Sequence, residues 1–132
     1  MIAVYIAFQQ YKTNRFRVKL ELFDKRHELY SGIRDYLYSV IREGYASDTA
    51  IFALNKSTQD AFFLFDEEVE AYIQQLRERG ARTHLIRKKL EILPVGEERS
   101  ALAEEDAEIL IWFGNQLGES KRILKKYLQL VQ

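Results

Sequence analysis

Phe16-Arg17-Val18-Lys19-Leu20-Glu21-Leu22-Phe23-Asp24-Lys25-Arg26-His27-Glu28-Leu29-Tyr30 admits two readings, and the choice between them decides the fold. From Arg15 to Leu22, polar and apolar residues alternate, as they do along a half-buried strand. Over a longer window Phe16, Leu20, Phe23, Tyr30, Leu37 and Ile41 recur at spacings of three and four, with His27 and Arg34 interrupting the seam. Leu22, Leu29, Ile33, Tyr36 and Val40 fill an adjoining stripe. The longer window, about 25 residues, predicts a helix, and no second strand pattern stands ready to pair with a first. Two stripes make a broad buried face, which suits a helix central to a bundle more than a two-stranded coil.

Outward from that stretch, the chain breaks where turn chemistry says it should. Glu43-Gly44-Tyr45-Ala46-Ser47-Asp48 offers a glycine to end the first helix and Ser47 or Asp48 to cap the next. Ile51, Phe52, Leu54, Ala61, Phe62 and Phe65 mark a second helix. Asp66 is the expected cap of a third, because Glu67, Glu68 and Glu70 crowd its first turn and Arg87, Lys88 and Lys89 its end, complementing the helix dipole. Val69, Tyr72, Ile73, Leu76, Thr83, Ile86 and Leu90 form its expected inward face, with Gly80 a weak spot. Leu93-Pro94-Val95-Gly96 is the clearest break. A fourth helix is expected from about Glu97 through Trp112. A turn at Gly118-Glu119-Ser120 would then lead into a basic final helix with Ile123, Leu124, Tyr127, Leu128 and Val131 inward. The predicted fold is all-α, an antiparallel bundle of four or five helices with a long first helix.

Composition bounds the chemistry. The 132 residues suit one domain, and 47% apolar content with 13% aromatics supplies a real core. With 20 basic and 20 acidic residues the formal charge is zero, which removes the overall cationic field that nonspecific nucleic-acid binders use, so nucleic acid is not an expected partner. The absence of cysteine excludes disulfides, thiolate zinc sites and cysteine nucleophiles together. No glycine-rich phosphate loop, Gly-x-Ser-x-Gly elbow or dinucleotide fingerprint appears, and no cofactor is expected.

The N-terminus is the most informative part outside the core. Met1 to Phe8 is almost wholly apolar, and Lys12, Arg15, Arg17 and Lys19 follow before the first carboxylate, Glu21. Grease followed by cations is the inner end of a membrane span, whereas a secretory signal has its basic region first. The run covers only about 12 Å of helix against roughly 30 Å of hydrocarbon. It is therefore read either as the inner tail of a truncated transmembrane helix or as the first turns of a core helix. On the membrane reading, residues 1–12 are the remnant of an anchoring helix continuous with helix 1, touching lipid through Ile2, Tyr5, Ile6 and Phe8. Residues 13–132 are then one helical bundle domain at the cytoplasmic face of a membrane.

Several clusters carry candidate chemistry. Asp24 and His27 share a spacing with half of the Glu-x-x-His unit of di-iron bundles, but Ala81 stands where a second unit would need an acid before His84. No metal site is expected. The acidic stretch Glu97, Glu98, Glu104, Glu105, Asp106 and Glu108 mirrors the basic stretch from Arg77 to Lys89, and pairing between the third and fourth helices is the expected use of both. Trp112-Phe113 and Phe62-Phe63 are consecutive aromatics that cannot both face fully inward, so they are candidate surfaces for a protein partner or for homo-oligomerisation.

Two resemblances extend this reading. Arg79 and His84 resemble the loosely spaced arginine and histidine of the HEPN ribonucleases, compact helical domains. That likeness implies metal-independent RNA cleavage, with histidine moving the proton and arginine steadying the phosphate charge. Lys19-Leu20-Glu21-Leu22-Phe23-Asp24-Lys25-Arg26, with Tyr30, Tyr36 and Leu93-Pro94-Val95-Gly96-Glu97-Glu98-Arg99, resembles a group of uncharacterised bacterial proteins. Its members have one N-terminal membrane segment and a small helical cytosolic domain. That likeness implies a helical domain beside a membrane and carries over no active-site residue. The expected function is a noncatalytic interaction module working through protein contacts, and the ribonuclease reading is the alternative.

Overall fold

The computed structural model describes residues 2–129. Five helices follow in order: α1 (Ile2–Glu43), α2 (Asp48–Ser57), the single turn α3 (Ala61–Leu64), α4 (Glu67–Ile92) and α5 (Glu97–Leu124), with a closing 3-10 turn at Lys125–Tyr127. No strand occurs among the described residues, so the alternation at 15–22 belongs to a helix. The fold is an all-α bundle.

Side-chain contacts fix the directions. Tyr36 approaches Gly80 and Phe113, Arg26 lies against Phe65 and Tyr127, and Arg87 reaches the Glu43 carbonyl. α1 and α4 therefore run one way and α5 the other. α2 folds back beside α1, giving an up-down-up-down arrangement.

The core is assembled from one stripe of α1 (Leu29, Ile33, Tyr36 and Val40), joined by Leu54, Leu76, Ile86, Phe113 and Leu124. The outer members of the other predicted stripe are corrected: Phe16 and Ile41 are substantially exposed. Tyr30 and Leu37 are the ones that reach the core. α4 buries Val69, Tyr72, Ile73, Leu76, Thr83 and Ile86 as expected, with Leu90 partly covered.

The helix ends carry local signals of recognisable kinds. Gly44, at φ 80°, takes the left-handed conformation that closes α1, and its N–H donates to the Val40 carbonyl over 2.8 Å. Ser47 Oγ accepts the Ala50 N–H, and Asp66 Oδ1 accepts that of Val69. The Arg99 guanidinium donates to the Leu90 and Leu93 carbonyls, satisfying the open end of α4 beside Pro94.

Two expected boundaries are corrected. Gly118-Glu119-Ser120 makes no turn: α5 runs through it, with Ser120 buried and its hydroxyl donating to the Leu117 carbonyl. The single second helix is instead interrupted at Thr58–Asp60, where the Thr58 hydroxyl donates to the Leu54 carbonyl and accepts from Arg77. Val131 lies outside the described residues. Ile123 and Leu124 are buried, while Tyr127 and Leu128 are partly covered.

Candidate membrane-contact surface on the first helix

α1 is longer than the bundle it serves. Its 42 residues span about 63 Å, yet every residue from Ile2 to Lys19, about 27 Å of helix, is exposed. Tertiary contact through polar side chains begins at Arg26, whose Nε donates to the Leu64 carbonyl over 2.8 Å, and at His27, whose Nε2 lies 3.4 Å from the Leu128 carbonyl oxygen. The first half of α1 is a stalk projecting from one end of the bundle.

The tip of that stalk has no polar side. Ile2, Ala3, Val4, Tyr5, Ile6, Ala7 and Phe8 are seven successive apolar or aromatic residues, and at about 100° per residue they surround the helix axis completely. Ile2 is 78% exposed, Val4 73% and Phe8 53%. A helix apolar all round is ordinarily sheathed, by protein core or by lipid. No helix of the described residues is long and apolar enough to cross a membrane.

A basic collar follows the tip. Among the described residues, none of Lys12, Arg15, Arg17 and Lys19 forms an ion pair, and Lys12 Nζ sits 4.7 Å above the Phe8 ring. Ile2, Tyr5, Ile6 and Phe8, singled out in the sequence, are therefore joined on the stalk by Val4, Tyr11, Phe16 and Val18. Phe16 and Val18 are harder to foresee, because their three-and-four spacing continues the core stripes.

The structure engages the two ribonuclease-like residues with different elements. The Arg79 guanidinium stacks 4.3 Å from the centre of the Trp112 ring on α5. His84 faces the turn between α1 and α2, its Nδ1 3.1 Å from the Ala46 carbonyl oxygen and its Nε2 3.3 Å from Asp48 Oδ1, with the ring stacked on Tyr45. Five helical residues apart, the two side chains leave α4 about 140° from each other. The contact of Nδ1 with the Ala46 carbonyl ties the α1–α2 turn to α4, alongside the bond from the Ala46 N–H to Thr83 Oγ1.

The expected aromatic surface is corrected as well. Phe113 is completely buried against Tyr36, and Trp112 is half-buried under Arg79, so this pair does not present a face. α5 turns one ring inward and leaves the other at the edge. Phe62 and Phe63 are the exposed pair, 69% and 79%, their rings packed edge to face at 5.3 Å on α3. Phe63 overlooks a cleft of about 690 Å³ between α1 and α2 that Lys25, Glu28 and Lys56 help to line.

The remaining polar chemistry is structural. Arg82 donates to Glu105 through Nε and Nη2, the latter bond measuring 2.8 Å, which realises the expected pairing of basic α4 with acidic α5. That bond holds the Glu105 carboxyl below its ordinary range. Burial pushes Asp106 the other way, against the opposing pull of Arg87. A hydrogen bond from Tyr127 is the main cause lowering Asp66, reinforced by its cap bond and by Lys126. Burial raises Tyr36 and Tyr72, whose hydroxyls donate to the Leu76 carbonyl and to Gln116 Oε1. Among the described residues no group of three histidines or carboxylates gathers to hold a metal ion. Comparison with protein-family models, curated proteins and solved structures finds no match for this chain.

Proposed function

We propose that this chain is a noncatalytic helical interaction module held against a membrane by the N-terminal turns of α1, with the bundle presented to protein partners. The observation that carries the reading is the stalk tip, two turns of helix that are apolar around the whole circumference and unsheathed by the bundle. A second protein helix covers one stripe, whereas a lipid phase covers every side. The run from Ile2 to Phe8 accounts for about 10 Å of apolar helix. The collar from Lys12 to Lys19 then falls at headgroup level, and its basic character supports a place for the bundle on the cytoplasmic side. The likeness to single-span bacterial proteins points to the same place.

The noncatalytic part of the reading is supported by the use of His84 and Arg79 as packing ties. Partner docking has a ready surface in Phe62 and Phe63. The test is vesicle flotation: the protein should float with phosphatidylcholine/phosphatidylserine vesicles. Ile6→Ser with Phe8→Ser should lower its partition at least tenfold while leaving thermal unfolding of the bundle unchanged. A wild-type protein that stays at the bottom of the gradient ends the membrane reading.

A further inference from the structure

We infer that the side of α1 turned away from the core is a self-association surface, along which two copies of this chain pair antiparallel when no membrane is present. At about 100° per residue, Ile2, Tyr5, Phe16, Leu20, Tyr38 and Ile41 fall within about 60° of arc. Gln9, Phe23, His27 and Arg34 lie in the same strip. Its centre is about 140° round the helix from Leu29, Ile33, Tyr36 and Val40, so a helix laid on it approaches from the side opposite the core. Phe16, Tyr38 and Ile41 are 47%, 53% and 42% exposed, which leaves the strip without a cover along both halves of α1.

The strip is symmetrical end to end about the midpoint between Glu21 and Leu22. An antiparallel second copy therefore sets Ile2 against Ile41, Tyr5 against Tyr38 and Leu20 against Phe23. His27, whose Nε2 already faces the Leu128 carbonyl, meets Phe16, and Arg34 gains the Gln9 amide oxygen as an acceptor. Charge selects this direction. No carboxylate occurs from residue 2 to residue 20, so parallel copies would set the collar cations against themselves and Arg34 against Arg34. The antiparallel register instead places Arg17 between the exposed Asp24 and Glu28 of the second copy. On the other flank Lys19 approaches Arg26, whose guanidinium is already bonded to the Leu64 carbonyl and lies over the Phe65 and Tyr127 rings. Gln9, His27 and Arg34 interrupt the apolar contact, so the dimer is weak, dissociating at roughly 10–100 µM, and the dilute chain keeps a bare stalk. The pairing stands on this strip and not on the membrane reading. The two compete, because Ile2 and Tyr5 cannot enter lipid while they face Ile41 and Tyr38.

Sedimentation equilibrium of the full chain without lipid, from about 10 to about 500 µM, should show a monomer–dimer equilibrium. Phe16→Glu is expected to weaken the dimer at least tenfold, and Val18→Glu, on the opposite side of the stalk, by less than twofold. The chain has no cysteine, so Gln9→Cys and Arg34→Cys each carry a single thiol. Mixed and treated with a short bis-maleimide, the two variants should cross-link position 9 to position 34 in preference to joining like positions. A chain that stays monomeric at the highest concentration would overturn the pairing without touching tip insertion, which vesicle flotation reads separately. Equal losses from Phe16→Glu and Val18→Glu would overturn the strip, and preferential joining of position 9 to position 9 would overturn the antiparallel register.

Discussion

Gly80 shows how a residue that sequence marks as a weakness becomes a requirement. A Cβ there would fall 1.7 Å from the Tyr36 hydroxyl oxygen and 3.2 Å from the Ala46 Cβ, in the plane where α1 crosses α4. The hydroxyl donates to the Leu76 carbonyl over 2.9 Å, so it cannot move aside without abandoning a buried hydrogen bond. Gly80→Ala is expected to destabilise the fold by about 2 kcal/mol, the clash and lost bond outweighing the helix propensity gained. In a Tyr36→Phe background the same change should cost less than about 1 kcal/mol, because the obstructing oxygen is gone. Gly114 and Gly118 meet nothing within 4 Å of an added Cβ, and alanine at either should stabilise α5 by about 0.5–1 kcal/mol. Urea denaturation of the five variants, Tyr36→Phe alone included, checks this, and additive costs at Gly80 and Tyr36 would refute the contact.

At the scale of the element, α1 is one helix in two environments. Residues 29–40 contribute side chains to the core, whereas residues 2–19 have only their own helical hydrogen bonds to hold them. A helix of that length without packing is marginal in water. In hydrogen exchange without lipid, amides in the stalk should exchange at least a hundredfold faster than those of Ile33, Leu37 and Val40, which should open only with the whole bundle. Protection of the stalk equal to the core would show that another surface covers it. The caps Gly44, Ser47 and Asp66 were legible because each acts within a few residues of chain. The continuation of α5 through Gly118 was not, because the burial of Ser120 and Ile123 that carries the helix across is supplied by other elements. The candidate site divides the same way: the apolar tip and its cations could be read from their order, but their exposure depends on how short the other helices are.

For the whole molecule, zero net charge conceals a segregated pattern that is spent in two ways. The basic side of α4 is joined to acidic α5 through Arg82–Glu105, and Asp66 is tied to Tyr127 and Lys126 at the opposite end. Both carboxyls sit below their ordinary values, so their contribution to stability is present above about pH 4 and is lost as the pH falls through the lowered folded values. Asp106 has the reverse sign, since its penalty at neutral pH is relieved as the pH falls through its raised value. Glu105→Gln should therefore be less stable than wild type at pH 7, with the gap closing as the pH falls through the lowered folded value in urea denaturation. A gap independent of pH would mean that Arg82 gains nothing from the carboxylate charge.

The sequence by itself determined the helical class, most helix ends and the inward face of α4, because periodicity and capping act over a few turns of one chain. It also determined that apolar residues precede a run of cations at the N-terminus. Only the tertiary structure decided which α1 stripe enters the core, that Phe113 is buried while Phe62 and Phe63 are exposed, that Arg79 and His84 serve different neighbours, and that the first half of α1 stands free. Those outcomes depend on which surfaces meet across the bundle, and spacing along a single helix carries no record of its neighbours' lengths.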